Sequence, residues 1–143
     1  MLANALARLL GPSRVVHAHC DLPCGVYDPA QARIEAESVR AIQAKYQDAE
    51  NQKKPTESAD DFKARCLIIK EERAELVKHH LWVLWTDYFK PEHSEKYPQL
   101  HELFWKATKA AGDAKKSQDP ASGQALLDQI AEIDKIFKET KAA

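Results

Sequence analysis

Four amphipathic segments, each preceded by a proline or a capping side chain, constrain the fold of this chain more than any other feature. The first begins at Asp28-Pro29, which suits a helix start because aspartate caps free backbone N–H groups and proline is pre-set for the first helical position. It extends to about residue 50. The second and longest begins near Ala59, with Ser58 as the expected cap, and Pro91 ends it.

The third and fourth segments complete the pattern. The third begins between Glu95 and Pro98 and ends near Gly112, and the fourth begins at Asp119-Pro120. With 4 glycines and 7 prolines in 143 residues, long stretches consist of residues that lose little entropy in a helix. The sequence therefore predicts one all-α domain over residues 28–143, a four-helix bundle with short connections.

Apolar side chains at spacings of three and four predict the buried face of each helix. The first face comprises Ile34, Val39, Ile42, Tyr46 and Ala49. A charged residue, Arg73, is the anomaly in the second face, which comprises Phe62, Cys66, Ile69, Arg73, Leu76, His80, Leu84 and Tyr88. The third comprises Leu100, Phe104, Ala107 and Ala111, and the fourth comprises Leu126, Ile130, Ile133 and Phe137.

The charge balance and the cysteine count restrict the partners and the compartment. Lys and Arg number 21 and Asp and Glu number 22, so a net charge of −1 favours neither nucleic acid nor an anionic membrane as a partner. No apolar run approaches the roughly 20 residues that span a bilayer. Three cysteines leave at least one thiol unpaired, which favours a reducing compartment, and the expected location is cytoplasmic.

Residues 1–18 have the composition of a removable leader. They contain Arg8 and Arg14, no acidic residue, and an apolar patch that ends at Gly11-Pro12. Three kinds of leader remain open: a secretory signal, for which the apolar stretch is weak, an organelle transit peptide, and a pro-segment that a dedicated maturation protease removes.

A compact loop over residues 19–27, HCDLPCGVY, contains the candidate chemistry. Its cysteines make a poor structural zinc site, which needs four ligands, and a poor thioredoxin-type pair, since three residues separate them. If the chain is cut before His19, the new amine and the backbone nitrogen and sulfur of Cys20 close two chelate rings on one metal. Cys24 then adds a second sulfur. This planar set suits Ni(II) or Cu(II). Because thiolates tend to reduce Cu(II), we expect nickel, with the His19 imidazole as an axial ligand of the oxidised metal.

Residues 19–38, HCDLPCGVYDPAQARIEAES, resemble the start of the mature chain in the nickel-containing superoxide dismutase family, whose signature is His-x-x-x-Pro-Cys-Gly-x-Tyr. Three later stretches also look like this family: IIKEERAELVKHHLWVLWTDYFKP (68–91), EKYPQLHEL (95–103) and IAEIDKIFKETK (130–141). The polar stretch around 48–58 departs from the compact family pattern.

The resemblance implies a function, a cofactor and an assembly. Cleavage would expose His19 at the end of an N-terminal metal-binding hook, residues 19–27, which holds one nickel ion per subunit. The enzyme would convert superoxide to dioxygen and hydrogen peroxide by cycling between Ni(II) and Ni(III), as a homohexamer. His19 would bind nickel through its amine and its ring, Cys20 through its sulfur and backbone nitrogen, and Cys24 through its sulfur. Pro23 would form the turn of the hook.

The resemblance also assigns supporting roles. Asp21 and Tyr27 would order the hook and guard the approach of a small anion, and we expect Tyr27 to be the first proton source for peroxide. Glu35 and Arg73 would hydrogen-bond and orient the histidine ring, which explains a charged residue in an apolar face. Tyr88 would be a further tyrosine near the site.

Two other functions remain open on the residues alone. One is a helical redox or metal-carrier protein that uses Cys20 and Cys24 without turnover, and the other is a plain helical interaction module. Cys66 is expected to be a small buried core residue and not a ligand. Structural roles, including core or subunit-interface packing for the tryptophans, are expected for His79, His80, His93, His101, Trp82, Trp85 and Trp105.

Overall fold

Six helices form between residues 25 and 142, the part of the chain that the computed structural model describes. They are α1 (Ala30–Gln47), α2 (Ala49–Gln52), α3 (Ala59–Val83), α4 (Pro91–Lys96), α5 (Leu100–Lys116) and α6 (Pro120–Lys141). Each of the long helices α1 and α5 packs against both α3 and α6, and the four enclose one hydrophobic core. The prediction of an all-α, four-helix bundle is confirmed. Within the described range, no helix is both long enough and apolar enough to cross a membrane.

Three of the four predicted helix starts are confirmed by their capping hydrogen bonds. The third long helix instead begins at Leu100 and not between Glu95 and Pro98, because residues 91–96 form the separate helix α4. Asp28 Oδ1 accepts from the Ala30 N–H at 2.7 Å. Ser58 Oγ accepts from the Asp61 N–H at 3.0 Å, and the carboxylate of Asp119 caps the first turn of α6. These contacts join residues two or three positions apart, so the local sequence is sufficient to specify them.

The buried face of α3 differs by about one residue from the predicted face. Ile69 and Leu76 are each 38% exposed, whereas Lys70, Ala74, Val77 and Leu81 are buried. In α1, Ile34 is 52% exposed, and Ala32 and Ala36 are fully buried in its place. The prediction was wrong because it followed the large apolar residues, whereas small alanines let helix backbones approach closely and therefore select the contact face.

Other details of the prediction also need correction. α5 continues past Gly112 to Lys116, because Ala114 is buried and adds a further turn to its core face. Of the tryptophans, which were predicted to pack in the core or at a subunit interface, Trp85 packs against the core, and Trp82 and Trp105 are more than half exposed. Phe104, Ile133 and Phe137 are buried as predicted.

The polar stretch after α1 is ordered and includes the short helix α2. Asp48 accepts hydrogen bonds from the side chains of Gln52 and Asn51, and these bonds lower the pKa of its carboxyl group. Ala49 is buried, and α2 contacts α3. The connection between α1 and α3 is therefore held against the bundle by the buried side chain of Ala49.

A buried polar layer joins α1 to the turn between α5 and α6. Gln43 is fully buried, and three acceptors lie within hydrogen-bond distance of its two Nε2 protons: Ala114 O at 3.2 Å, Ser117 O at 3.1 Å and Ser122 Oγ at 2.8 Å. Lys70 also donates to Ser117 O, and burial lowers the pKa of its ammonium group. These side chains satisfy carbonyl groups at the α5 C-terminus that have no partner within the helix.

Gly123 is required where α6 crosses α1 beside this layer. A Cβ atom at this position would lie 2.6 Å from Gln43 Oε1 and 2.8 Å from the Cα atom of Arg40. Both distances are too short for carbon, and the second involves rigid backbone. Glycine therefore permits the approach of the two helices.

Replacing Gln43 with leucine is expected to lower the free energy of unfolding by about 2–3 kcal/mol, because buried acceptors lose their donor. Gln47→Leu is the matched control, since Gln47 lies one turn further along α1 and donates one exposed hydrogen bond, to Gln118 O. We expect it to change stability by less than about 0.5 kcal/mol. Denaturant unfolding followed by circular dichroism measures both; equal losses would contradict the role of the buried layer.

Candidate functional site

The predicted nickel ligands His19, Cys20 and Cys24 lie outside the described residues, as do Asp21 and Pro23. The described chain begins directly after them, at Gly25, whose φ of +71° lies in the left-handed region that glycine adopts without strain. Within residues 25–142, no group of three or more His, Cys, Asp or Glu side chains is placed to hold a metal ion.

Tyr27 and Tyr88 lie next to each other at one end of the bundle. Their ring centroids are 5.9 Å apart with an interplanar angle of 52°, and both side chains are partly buried against the core. Tyr27 is three residues after Cys24 and two residues before the first turn of α1. The bundle therefore places two phenol groups close to the point where the hook segment meets it.

A widened turn at the end of α3 positions Tyr88. Over Leu84–Tyr88 the helix changes to π geometry, and the Phe89 N–H bonds the Leu84 carbonyl at 3.0 Å. Such turns insert one extra residue and rotate the following side chains, and they often occur at functional sites. Nothing in the helical spacing of the sequence predicts this change.

Residues from α6 and α4 surround the Tyr88 ring. The Phe137 ring lies 4.6 Å from it between centroids, and His93 stacks on it at 5.7 Å. The Tyr88 hydroxyl is 2.8 Å from Thr140 Oγ1. Lys141 Nζ lies 5.2 Å from the ring centroid, a cation–π distance. The ring is therefore fixed on several sides, and a positive charge lies beside it.

Sequence reasoning missed Thr140 and Lys141 as neighbours of this tyrosine. They follow Phe137 at spacings of three and four, so the amphipathic face of α6 could have grouped them with it. Their contact with Tyr88 spans 52 residues of sequence, and no local pattern indicates it. His93 was predicted to be structural. It has a structural role, because its Nδ1 accepts a hydrogen bond from the Lys90 N–H at the start of α4.

Glu35 on α1 and Arg73 on α3 form an ion pair. Arg73 Nη1 lies 3.1 Å and 3.3 Å from the two carboxylate oxygens of Glu35. The Glu35 side chain is 14% exposed and the Arg73 side chain 43%, so Arg73 lies at the edge of the core and not inside it as its place in the predicted face implied. A pair this exposed contributes at most about 1 kcal/mol to stability.

Cys66 is buried in the bundle as a free thiol. Burial raises the pKa of this thiol, although nearby Arg65 and Lys45 oppose the shift. Because the thiolate is the form that binds metals, Cys66 is a poor ligand. The prediction that it is a small core residue is confirmed.

Comparison with known proteins decides the family. The model of the family described as nickel-containing superoxide dismutase matches residues 14–141 of this chain. The chain belongs to the nickel-containing superoxide dismutase family. Two curated members have sequences close to it. The superoxide dismutase [Ni] of Streptomyces coelicolor is 59% identical over 138 residues, covering 96% of this chain and 99% of that protein. The enzyme of Streptomyces seoulensis is 60% identical over 141 residues, with the same coverage.

Solved structures of the same family share the bundle. The native structure of a nickel superoxide dismutase superposes with a TM-score of 0.78 at 61% identity, covering 87% of this chain and 100% of that chain. A structure with nickel ligation corresponding to the oxidized state gives the same TM-score and coverage at 63% identity. Identity at this level makes the shared architecture a family property and not a coincidence of helical packing.

Proposed function

We propose that this chain is a nickel-dependent superoxide dismutase whose metal is held by His19, Cys20 and Cys24 after residues 1–18 are removed. Membership of the nickel-containing superoxide dismutase family over nearly the whole chain is the observation that carries the proposal. The reaction takes two superoxide anions and two protons to dioxygen and hydrogen peroxide.

The donors in the hook suit this metal and this reaction. The His19 amine and ring, the Cys20 backbone nitrogen and the two thiolates would hold the nickel as a set of nitrogen and sulfur donors. Nickel bound there would supply one-electron redox chemistry between its divalent and trivalent states, which anionic sulfur and amide donors make accessible.

Tyr27 and Tyr88 are proposed to control the approach of superoxide and of protons. Tyr27 is the last residue of the hook and contacts the Tyr88 ring, so both phenols lie where the hook joins the bundle. We assign Tyr27 as the first proton donor for peroxide. The Lys141 ammonium beside Tyr88 attracts an anion to the same place.

Asp21, Pro23, Glu35 and Arg73 are proposed to hold the hook in place. Asp21 and Pro23 would order its turn. Glu35 presents a mostly buried carboxylate that Arg73 already fixes by two hydrogen bonds, so it is ready to accept an N–H from the His19 ring.

The lengths of the matched proteins support removal of the leader. Cleavage before His19 would leave residues 19–143, which is about 87% of this chain, and the solved chains of the family cover the same 87% while being matched over their full length. We propose that residues 1–18 are a pro-segment that a maturation protease removes.

Assembly as a homohexamer in the cytoplasm completes the proposal. Several apolar side chains on the outside of the bundle are available for contacts between subunits; they include Ile34, Ile68, Trp82 and Trp105. The buried free thiol of Cys66 fits a reducing compartment.

The function is tested on a purified chain that begins at His19 and is reconstituted with nickel. We expect about one nickel ion per chain, rapid superoxide consumption by pulse radiolysis, and a hexameric mass by light scattering on the same sample. Zinc-loaded protein is the control, since zinc has no accessible one-electron chemistry. A stable Cys20–Cys24 disulfide without bound nickel would instead favour the redox-carrier function.

A further inference from the structure

The Tyr88 hydroxyl belongs to a short chain of hydrogen bonds that ends on the backbone of α6. Tyr88 Oη and Thr140 Oγ1 are 2.8 Å apart, and Thr140 Oγ1 is 2.7 Å from the Phe137 carbonyl oxygen. All three groups are at least partly buried. Both distances are those of well-formed hydrogen bonds between oxygen atoms.

The direction of these bonds follows from the number of protons. A carbonyl oxygen can only accept, so the Thr140 proton must lie between Oγ1 and the Phe137 oxygen. A threonine hydroxyl has one proton, and none remains for Tyr88. The proton of the second bond is therefore the phenol's own, and Tyr88 donates to Thr140.

We infer that Thr140 is a positioning residue, which fixes the Tyr88 hydroxyl with its proton turned toward α6 and its oxygen lone pairs free to accept. This rests on the proposed function, in which Tyr88 faces the route of superoxide. Tyr88 then acts as a hydrogen-bond acceptor for a water molecule or a protonated product, and it is not a proton source. Proton donation is left to Tyr27 or to water.

The arrangement around the ring strengthens this assignment. The Tyr88 ring is held by Phe137, by the stacked His93 and by the Lys141 ammonium. With the ring fixed, the phenol proton can turn only about its C–O bond, and Thr140 selects one orientation. The π turn at Leu84–Tyr88 supplies the backbone geometry that brings Tyr88 to α6.

Thr140→Val tests the inference because valine keeps the shape of threonine and removes the hydroxyl, and Thr140→Ser is the rescue variant because it restores the hydroxyl. Ultraviolet resonance Raman spectra are recorded for each nickel-loaded enzyme and for the same enzyme that also carries Tyr88→Phe. Subtracting the second spectrum from the first isolates the Fermi doublet of Tyr88. Its intensity ratio reports whether a phenol donates or accepts hydrogen bonds.

In the parent and in Thr140→Ser we expect the ratio of a donor phenol, and in Thr140→Val a clear change. Superoxide turnover at saturating substrate should fall about fivefold in Thr140→Val, which is the rate change that corresponds to the free energy of one neutral hydrogen bond. It should recover in Thr140→Ser. An identical doublet in parent and Thr140→Val would overturn the inference and leave the proposed function intact. A parent enzyme without superoxide consumption would overturn the proposed function and the catalytic part of this inference together.

Discussion

Replacing Cys20 or Cys24 with serine is expected to abolish both nickel binding and superoxide consumption. Each substitution exchanges a thiolate for a neutral hydroxyl, which is a weak ligand for nickel and cannot stabilise its trivalent state. Loss of a residue that merely supports a metal ligand costs roughly 10- to 100-fold in affinity, and loss of the ligand itself is expected to cost more. Metal analysis after gel filtration, together with pulse radiolysis, measures the effect.

Cys66→Ser is the matched control for this experiment. It removes the third thiol from the same chain, at a buried position in α3 where burial raises the pKa of the thiol. We expect full nickel content and activity, with only a modest loss of stability from a polar group in the core. Retained stoichiometric nickel and activity in both the Cys20 and the Cys24 variants would refute the ligand assignment.

A chain that keeps one residue before His19, and so begins at Ala18, is expected to lose activity by roughly 100-fold or more. The His19 nitrogen would then be part of a peptide bond, and the free amine would lie one residue away from the position that closes the chelate ring with Cys20. The site therefore depends on cleavage at one bond. Mass spectrometry verifies the first residue of each preparation, and pulse radiolysis measures turnover.

The chain that begins at Ala18 and the chain that begins at His19 differ by a single residue, so each is the control of the other. Circular dichroism should show the same helical content, because the bundle begins at Ala30 and does not include the terminus. An active chain that begins at Ala18, or an active uncut chain, would show that the terminal amine is not a ligand.

Three of the four long-helix starts were predictable because the groups that form them are close in sequence. Ser58 caps α3 by bonding a backbone N–H three residues later, and Asp119 caps α6 in the same way two residues later. The chemistry of the hook is local for the same reason, since Cys20 and Cys24 are separated by three residues. Short-range patterns of this kind need no knowledge of the rest of the fold.

The orientation of the helices was less predictable. Hydrophobic spacing placed Ile69 and Leu76 in the core, yet both are partly exposed and the nearly buried Lys70 lies on the contact face. A buried lysine is acceptable there because the carbonyl group of Ser117 at the end of α5 accepts its hydrogen bond. That acceptor comes from another helix, 47 residues away, so the sequence of α3 alone cannot reveal it.

The sequence by itself therefore determined the number of the long helices and the starts of three of them. It also indicated the candidate metal donors in the hook, which is still the nickel site that we propose. Tertiary structure alone decided which faces pack, where α3 widens into a π turn, and which side chains fix Tyr88. The physical reason is the range of the interactions: caps and chelate rings form between near neighbours in sequence. The bond from Tyr88 to Thr140 exists only because the π turn after α3 meets the last turn of α6 in the folded bundle.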